Sequence, residues 1–175
     1  MIQLSATPVL ETERLILRAP VATDYPAYAE FATSDRTRYM SRLADADAAW
    51  LKFSGIIGQW VMRGFGQFVL TDRTSGAPLG HAGPMFIAGR PEPEIAWAIW
   101  SDLGEGRGLA HEAAKAICTH VFEDLQWDTA VSYIATENRR SAALAERLGA
   151  VIDPEARKLA SDIPHDVWRH PRRTE

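Results

Sequence analysis

Three glycines in five positions, Gly104-Glu105-Gly106-Arg107-Gly108, separate an apolar run from an amphipathic one, and this arrangement suits the binding of an anion. Glycine lets backbone N–H groups approach a ligand closely, and the first N–H groups of a helix have no partner within it. The helix dipole adds partial positive charge at that end, so a phosphate or pyrophosphate is the natural occupant, and Arg107 can add a full charge. Two common phosphate motifs fail on spacing. A P-loop needs Lys and then Ser or Thr after the last glycine, where Leu109 and Ala110 stand. A dinucleotide fingerprint needs glycine at Leu109 or at His111. An unliganded turn has the same local sequence, so the surrounding residues must decide.

Glu94 is a carboxylate at the start of a predicted strand among Trp and Ile, where desolvation would raise its pKa into the range of a general base. The same glutamate facing solvent at a strand end would be inert. His81, on the preceding predicted strand, is a second candidate base because its ordinary pKa suits neutral pH. Cys118 lies on or beside an apolar helical stripe with no base adjacent, and reads as a buried inert thiol rather than a nucleophile. The five histidines and single cysteine show no metal-ligand spacing, so no metal is expected.

The elements that would hold these groups follow from periodicity. Leu15 to Leu17 reads as a first strand ended by Pro20, and Thr23 or Asp24 caps a helix carrying Tyr25, Tyr28, Ala29 and Phe31. A polar loop, Ser34 to Arg42, precedes a second helix from about Asp45 to Arg63, with an apolar stripe of Trp50, Leu51, Phe53, Ile56, Ile57, Trp60 and Val61. Gln67 to Leu70, Leu79 to about Ile87 and Glu94 to Trp100 read as three strands in a meander, the first two joined by the turn Asp72 to Pro78. From Arg107, apolar residues at Ala110, Ala113, Ala114, Ile117, Val121 and Leu125 predict a long helix lying on the sheet. Ala130 to Ala135 is a strand, Asn138 caps a helix with Leu144, Ala145 and Leu148 inward, and Gly149 stops it. Val151-Ile152 and Val167-Trp168 are candidates for two further short strands.

Composition sets the outer limits. At 175 residues the chain suits one domain, 1–175, with a core large enough to need neither disulfides nor metal. Hydrophobic content of 46% and charged content of 24% exclude a disordered or membrane-spanning chain. A net charge of −4 offers no general attraction to nucleic acid or anionic lipid, so neither is expected as a partner. One cysteine and the lack of a signal-like N-terminus point to the cytoplasm.

The turn resembles the acetyl-CoA pyrophosphate loop of the GNAT N-acetyltransferase superfamily. Gly106-Arg107-Gly108-Leu109-Ala110 followed by Glu112-Ala113 is similar to the form common in its Rim-type branch, with Leu103 departing from the usual Gln or Arg. Thr12-Glu13-Arg14-Leu15, Glu94-Ile95-Ala96-Trp97-Ala98-Ile99-Trp100, Ser132-Tyr133-Ile134, Asn138 with Ser141, and Glu146-Arg147-Leu148-Gly149-Ala150 resemble further segments of that branch in order and spacing.

The resemblance implies an α/β (α+β) GNAT fold: a mixed, mostly antiparallel, twisted central sheet flanked by helices and splayed between its fourth and fifth strands. It implies acetyl-CoA as co-substrate, held by backbone near Ile99 and Trp100 and by Gly106, Arg107, Gly108, Leu109 and Ala110, with Asn138 and Ser141 facing the pantetheine and thioester sulfur. Helix capping would use Asn138 and Ser141 equally well.

The implied activity is transfer of the acetyl group to a primary amine of a small molecule or a protein N-terminus, directly in a ternary complex. Glu94 is the expected base. Ser141, or water bound by it, is the expected proton donor, because Ala145 stands where many relatives carry Tyr; Tyr133 is a weaker alternative. Acceptor choice is expected from Ser34 to Arg42 and Trp60 to Gly66, where Arg36 and Arg38 would favour a carboxylate or phosphate unless they are ordinary surface charges. A homodimer is compatible with the sequence. With Leu103 and Ala145 at two motif positions, a non-catalytic acyl-CoA-binding regulatory module is the alternative reading.

Overall fold

In the computed structural model, which describes residues 4–40 and 42–172, the chain builds one sheet of eight strands in the order β1-β2-β3-β4-β5-β6-β8-β7. The strands are β1 (Leu10–Glu11), β2 (Leu15–Arg18), β3 (Phe68–Asp72), β4 (Pro78–Met85), β5 (Glu94–Ile99), β6 (Val131–Ala135), β7 (Val151–Ile152) and β8 (His165–Arg169). The helices are α1 (Tyr25–Ala32), α2 (Ala46–Arg63), α3 (Leu109–Thr119) and α4 (Arg139–Arg147). The expected α/β class holds. The strand at Leu10–Glu11 is an addition, too short to show a period-two pattern, and it moves the expected fourth and fifth strands to β5 and β6.

Every neighbouring pair in the sheet is antiparallel except β5 and β6. Those two are parallel because α3 crosses between them, which returns the chain in the same direction. Their register is one pair long, Glu94 opposite Val131. Beyond it the strands separate.

The backbone pattern shows what faces the gap. The Trp100 amide donates to the Leu79 carbonyl at 2.8 Å, and hydrogen-bonded pairs alternate along an antiparallel ladder. Ala98, Ala96 and Glu94 therefore direct their backbone groups to β4, and Ile95, Trp97 and Ile99 direct theirs toward β6. The Ile95 carbonyl accepts from the Ser132 hydroxyl and the Pro93 carbonyl from the Val131 amide. On the β6 side, Trp97 and Ile99 have no strand partner among the described residues.

Helix α3 covers one face of the sheet, burying Leu109, Ala113 and Ile117 against Leu15, Leu17, Phe68, Leu70 and Ile95. Helices α1 and α2 cover the other, where Tyr28, Phe31, Phe53 and Ile56 meet Val69 and Trp100. Each large side chain fully buried in this way stabilises the fold by about 1.5–3 kcal/mol. The stripe expected on α2 is narrower than its sequence suggests. Phe53, Ile56 and Trp60 are buried together with Ala49 and Gln59, whereas Trp50, Leu51 and Val61 are exposed. A helix that packs along one side leaves the flanks of a wide apolar stripe uncovered.

Candidate active site

The loop before α3 is built to leave amides free. Gly106 and Gly108 lie in the left-handed region at φ 68° and 76°, and Gly108 caps the helix with no side chain at its end. Among the described residues, no protein acceptor takes the amides of residues 106–111, and the first α3 hydrogen bond runs from the Glu112 amide to the Gly108 carbonyl. A Cβ on Gly106 would meet nothing within 4 Å, so the space over the cradle is open.

The cradle is held from behind. Glu112 accepts from the Thr12 hydroxyl at 2.6 Å, the Arg14 amide at 2.8 Å and the Arg14 Nε at 2.7 Å, while Arg14 Nη1 donates to the Arg107 carbonyl at 2.8 Å. Arg107 turns back onto the Leu103 carbonyl. Arg36, a candidate acceptor-binding residue from its position, instead ties down this loop. It reaches Asp102, Glu105 and the Trp100 carbonyl at 2.8, 3.1 and 3.2 Å. Arg38 lies over the Tyr39 ring.

A cavity of about 490 Å³ is lined by Ile95, Ala96 and Trp97 of β5 and by Ser132, Tyr133, Ile134 and Ala135 of β6. Glu94, at the last shared register pair, lines it and is 6% exposed. Burial pushes its pKa up to about 7 against the opposing pull of Arg90, Lys52 and the Tyr133 amide. Arg90 Nη1 stands 3.0 Å from Glu94 Oε2 without the alignment of a hydrogen bond, so that buried oxygen keeps a free lone pair. A carboxyl group that changes charge near neutral pH beside a cavity fits a general base.

His81 also lines the cavity, but its Nδ1 receives the Trp100 indole N–H at 2.7 Å. Indole nitrogen only donates, so Nδ1 is unprotonated and the proton sits on Nε2. Burial and nearby Lys52 draw the His81 pKa down to about 4. The ring is neutral at pH 7 with its basic nitrogen engaged, so His81 is poorly placed to accept a proton.

Asn138 caps α4 by accepting from the Ser141 amide at 3.2 Å, and both residues line the cavity. Capping and cavity lining therefore coexist. The Tyr133 hydroxyl, whose direction alternation left open, is buried with no hydrogen-bond partner among the described residues, and Tyr133 lines the same cavity as Glu94. Ile99 presents its backbone to the gap. Trp100 does not: its amide is spent on Leu79 and its carbonyl on Arg36. Trp97 takes that place, a position that strand alternation would have flagged. Cys118 is partly buried on α3 with Sγ 3.9 Å from His170 Nδ1, behind the gap rather than in it. Among the described residues, no group of His, Cys, Asp and Glu has the arrangement of a metal site.

The domain description "Acetyltransferase (GNAT) domain" matches residues 14–151. An acetyltransferase from Agrobacterium tumefaciens strain C58 is 35% identical, with 98% of each chain covered and a TM-score of 0.88. A GNAT-family protein from Bordetella pertussis is 30% identical over 94% of this chain and 99% of its own, with a TM-score of 0.77. RimL, a ribosomal L7/L12 alpha-N-protein acetyltransferase whose structure contains coenzyme A, shares the fold at 18% identity, with 93% and 96% coverage and a TM-score of 0.71. The chain belongs to the GNAT family of N-acetyltransferases, as its loop and the two strands around the gap imply.

Proposed function

We propose that the protein moves the acetyl group of acetyl-CoA to a primary amine by direct transfer in a ternary complex, acting as one domain over 1–175 in the cytoplasm. The observation that carries this reading is the juxtaposition of a buried carboxyl of pKa about 7 with a cavity that also reaches the gap between β5 and β6. The amides of Gly106, Arg107, Gly108, Leu109 and Ala110 fit a pyrophosphate, because they are unpaired at a helix N-terminus. The backbone of Trp97 and Ile99 can pair with the pantetheine amides as an added strand would.

Glu94 takes a proton from the incoming ammonium, directly or through water, and the neutral nitrogen attacks the thioester carbonyl carbon. A backbone amide facing the gap, Trp97 being the one positioned, stabilises the oxyanion. The carbon–sulfur bond then breaks as the nitrogen of the tetrahedral intermediate gives up its extra proton, and that proton reaches the sulfur through Ser141 so that CoA leaves as the thiol and the product as the neutral amide. Tyr133 is the second donor, and burial keeps its hydroxyl protonated. No helix among the described residues is long and apolar enough to cross a membrane.

Release of CoA thiol from acetyl-CoA with a panel of amines tests the reading. Amine-dependent release that Glu94→Gln lowers by about a hundredfold, within the range for loss of a general base, supports it. Binding of acetyl-CoA without release from any amine would favour the regulatory module instead. Comparing Ser141→Ala with Tyr133→Phe identifies the proton donor as the variant with the larger loss in kcat.

A further inference from the structure

The charged side chains around the cavity are few. Among the described residues that line it they are Glu94, Arg90 and Lys52. Arg90 is committed to Glu94. Lys52 makes no ion pair or hydrogen bond among the described residues, yet it projects from α2 near enough to Arg90, Glu94 and His81 to act on their charges. Burial and Arg90 lower the Lys52 pKa, with Glu94 opposing, although the residue itself is exposed. The cavity thus carries two cations against one carboxylate.

A simple amine or polyamine entering this space as an ammonium would bring a third cation against one carboxylate. An acceptor with an acidic group beside its amine would not. Resting on the transferase reading, we propose that the acceptor is an amino acid or aminophosphonate whose carboxylate or phosphonate is bound by Lys52 while its amine faces Glu94. The Lys52 ammonium is a compact point charge with three donors, suited to either oxyanion. Tyr28, Phe31, Ile56 and Met85 supply an apolar wall for the rest of the molecule. Selectivity comes from Lys52, which has no ion-pair partner among the described residues, rather than from Arg36, which is used up on Asp102 and Glu105.

The test uses the full chain with saturating acetyl-CoA and matched acceptors: phenylalanine against phenylalaninamide, methionine against methioninamide, and 2-aminoethylphosphonate against propylamine. Calorimetric binding of the same compounds to the CoA-bound protein is measured in parallel. The expected result is a kcat/KM at least tenfold higher for the acidic member of one or more pairs. Lys52→Met should bring that ratio near one, chiefly through KM, and Lys52→Arg should restore most of it. Faster turnover of the uncharged members, or an acid preference that survives Lys52→Met, overturns the assignment and leaves the transferase reading standing. Acid-selective binding that Lys52→Met abolishes, without thiol release, supports Lys52 as the anion site and overturns the transferase reading. Neither turnover nor acid-selective binding overturns both.

Discussion

Arg14 and Glu112 are 98 positions apart in the chain and share two side-chain contacts, Nε to Oε2 at 2.7 Å and Nη2 to Oε2 at 2.6 Å. Through Arg14 Nη1 on the Arg107 carbonyl, the residue just before β2 braces the loop that begins α3. Two sequence segments that read as separate family signatures are one mechanical unit.

Glu112→Gln should therefore weaken acetyl-CoA binding several-fold and lower stability by about 1.5–3 kcal/mol, the usual size of a hydrogen bond to a charged group. Burial opposes ionisation of Glu112, but hydrogen bonds from Thr12 and Arg14 outweigh it and its pKa is lowered. Its stabilisation is present above the ordinary carboxylate value and lost as pH falls through the lower folded value. Denaturant unfolding at pH 7 and pH 3 checks this: the gap between wild type and variant should shrink at pH 3.

Glu94 has the opposite sign. Its folded pKa of about 7 lies above the ordinary value of 4.5, so the folded state loses stability as pH rises between those values, by about 3 kcal/mol in all. Relative to Glu94→Gln, the wild type should become less stable from pH 4.5 to pH 8, as thermal melts would record. In activity, kcat/KM should rise through about pH 7 in the wild type. A Glu94→Gln profile with the same rise would remove Glu94 as the base.

Gly108→Val places a β-branched residue at φ 76° at the opening of α3. Strain of about 1–3 kcal/mol would distort the amide cradle, and acetyl-CoA affinity should fall about a hundredfold by calorimetry. Unchanged affinity would show that the amides of Gly106 to Ala110 are not the binding surface.

Trp100→Phe removes the N–H that occupies His81 Nδ1. The His81 pKa should then rise from about 4 toward its ordinary value, which proton NMR of the imidazole can follow. No change would mean that burial and Lys52, without the indole, hold it down.

Much of this was legible in the chain, and the exceptions have a common cause. The loop, the three-strand meander and the caps at Asn138 and Gly149 depend on local chemistry, so spacing revealed them. The Val151 and Val167 strands followed from short β-branched runs that pair in the structure. Lys52 is not legible from the chain because nothing in the α2 sequence tells which polar position will overhang β4 and β5. Arg36 had the right charge in the expected region, but a contact 66 residues away claims it. Trp50 and Leu51 look like core and are exposed, since α2 docks along a narrow seam. Such errors arise where tertiary placement, rather than periodicity, selects among similar residues.

The single shared register pair of β5 and β6 contains Glu94 itself. A wedge driven between these strands from the open end turns about that joint, where displacement is smallest. On the proposed mechanism, a thioester entering there would spread the sheet least at Glu94 and so keep that carboxylate aligned with the amine through each cycle of filling and emptying.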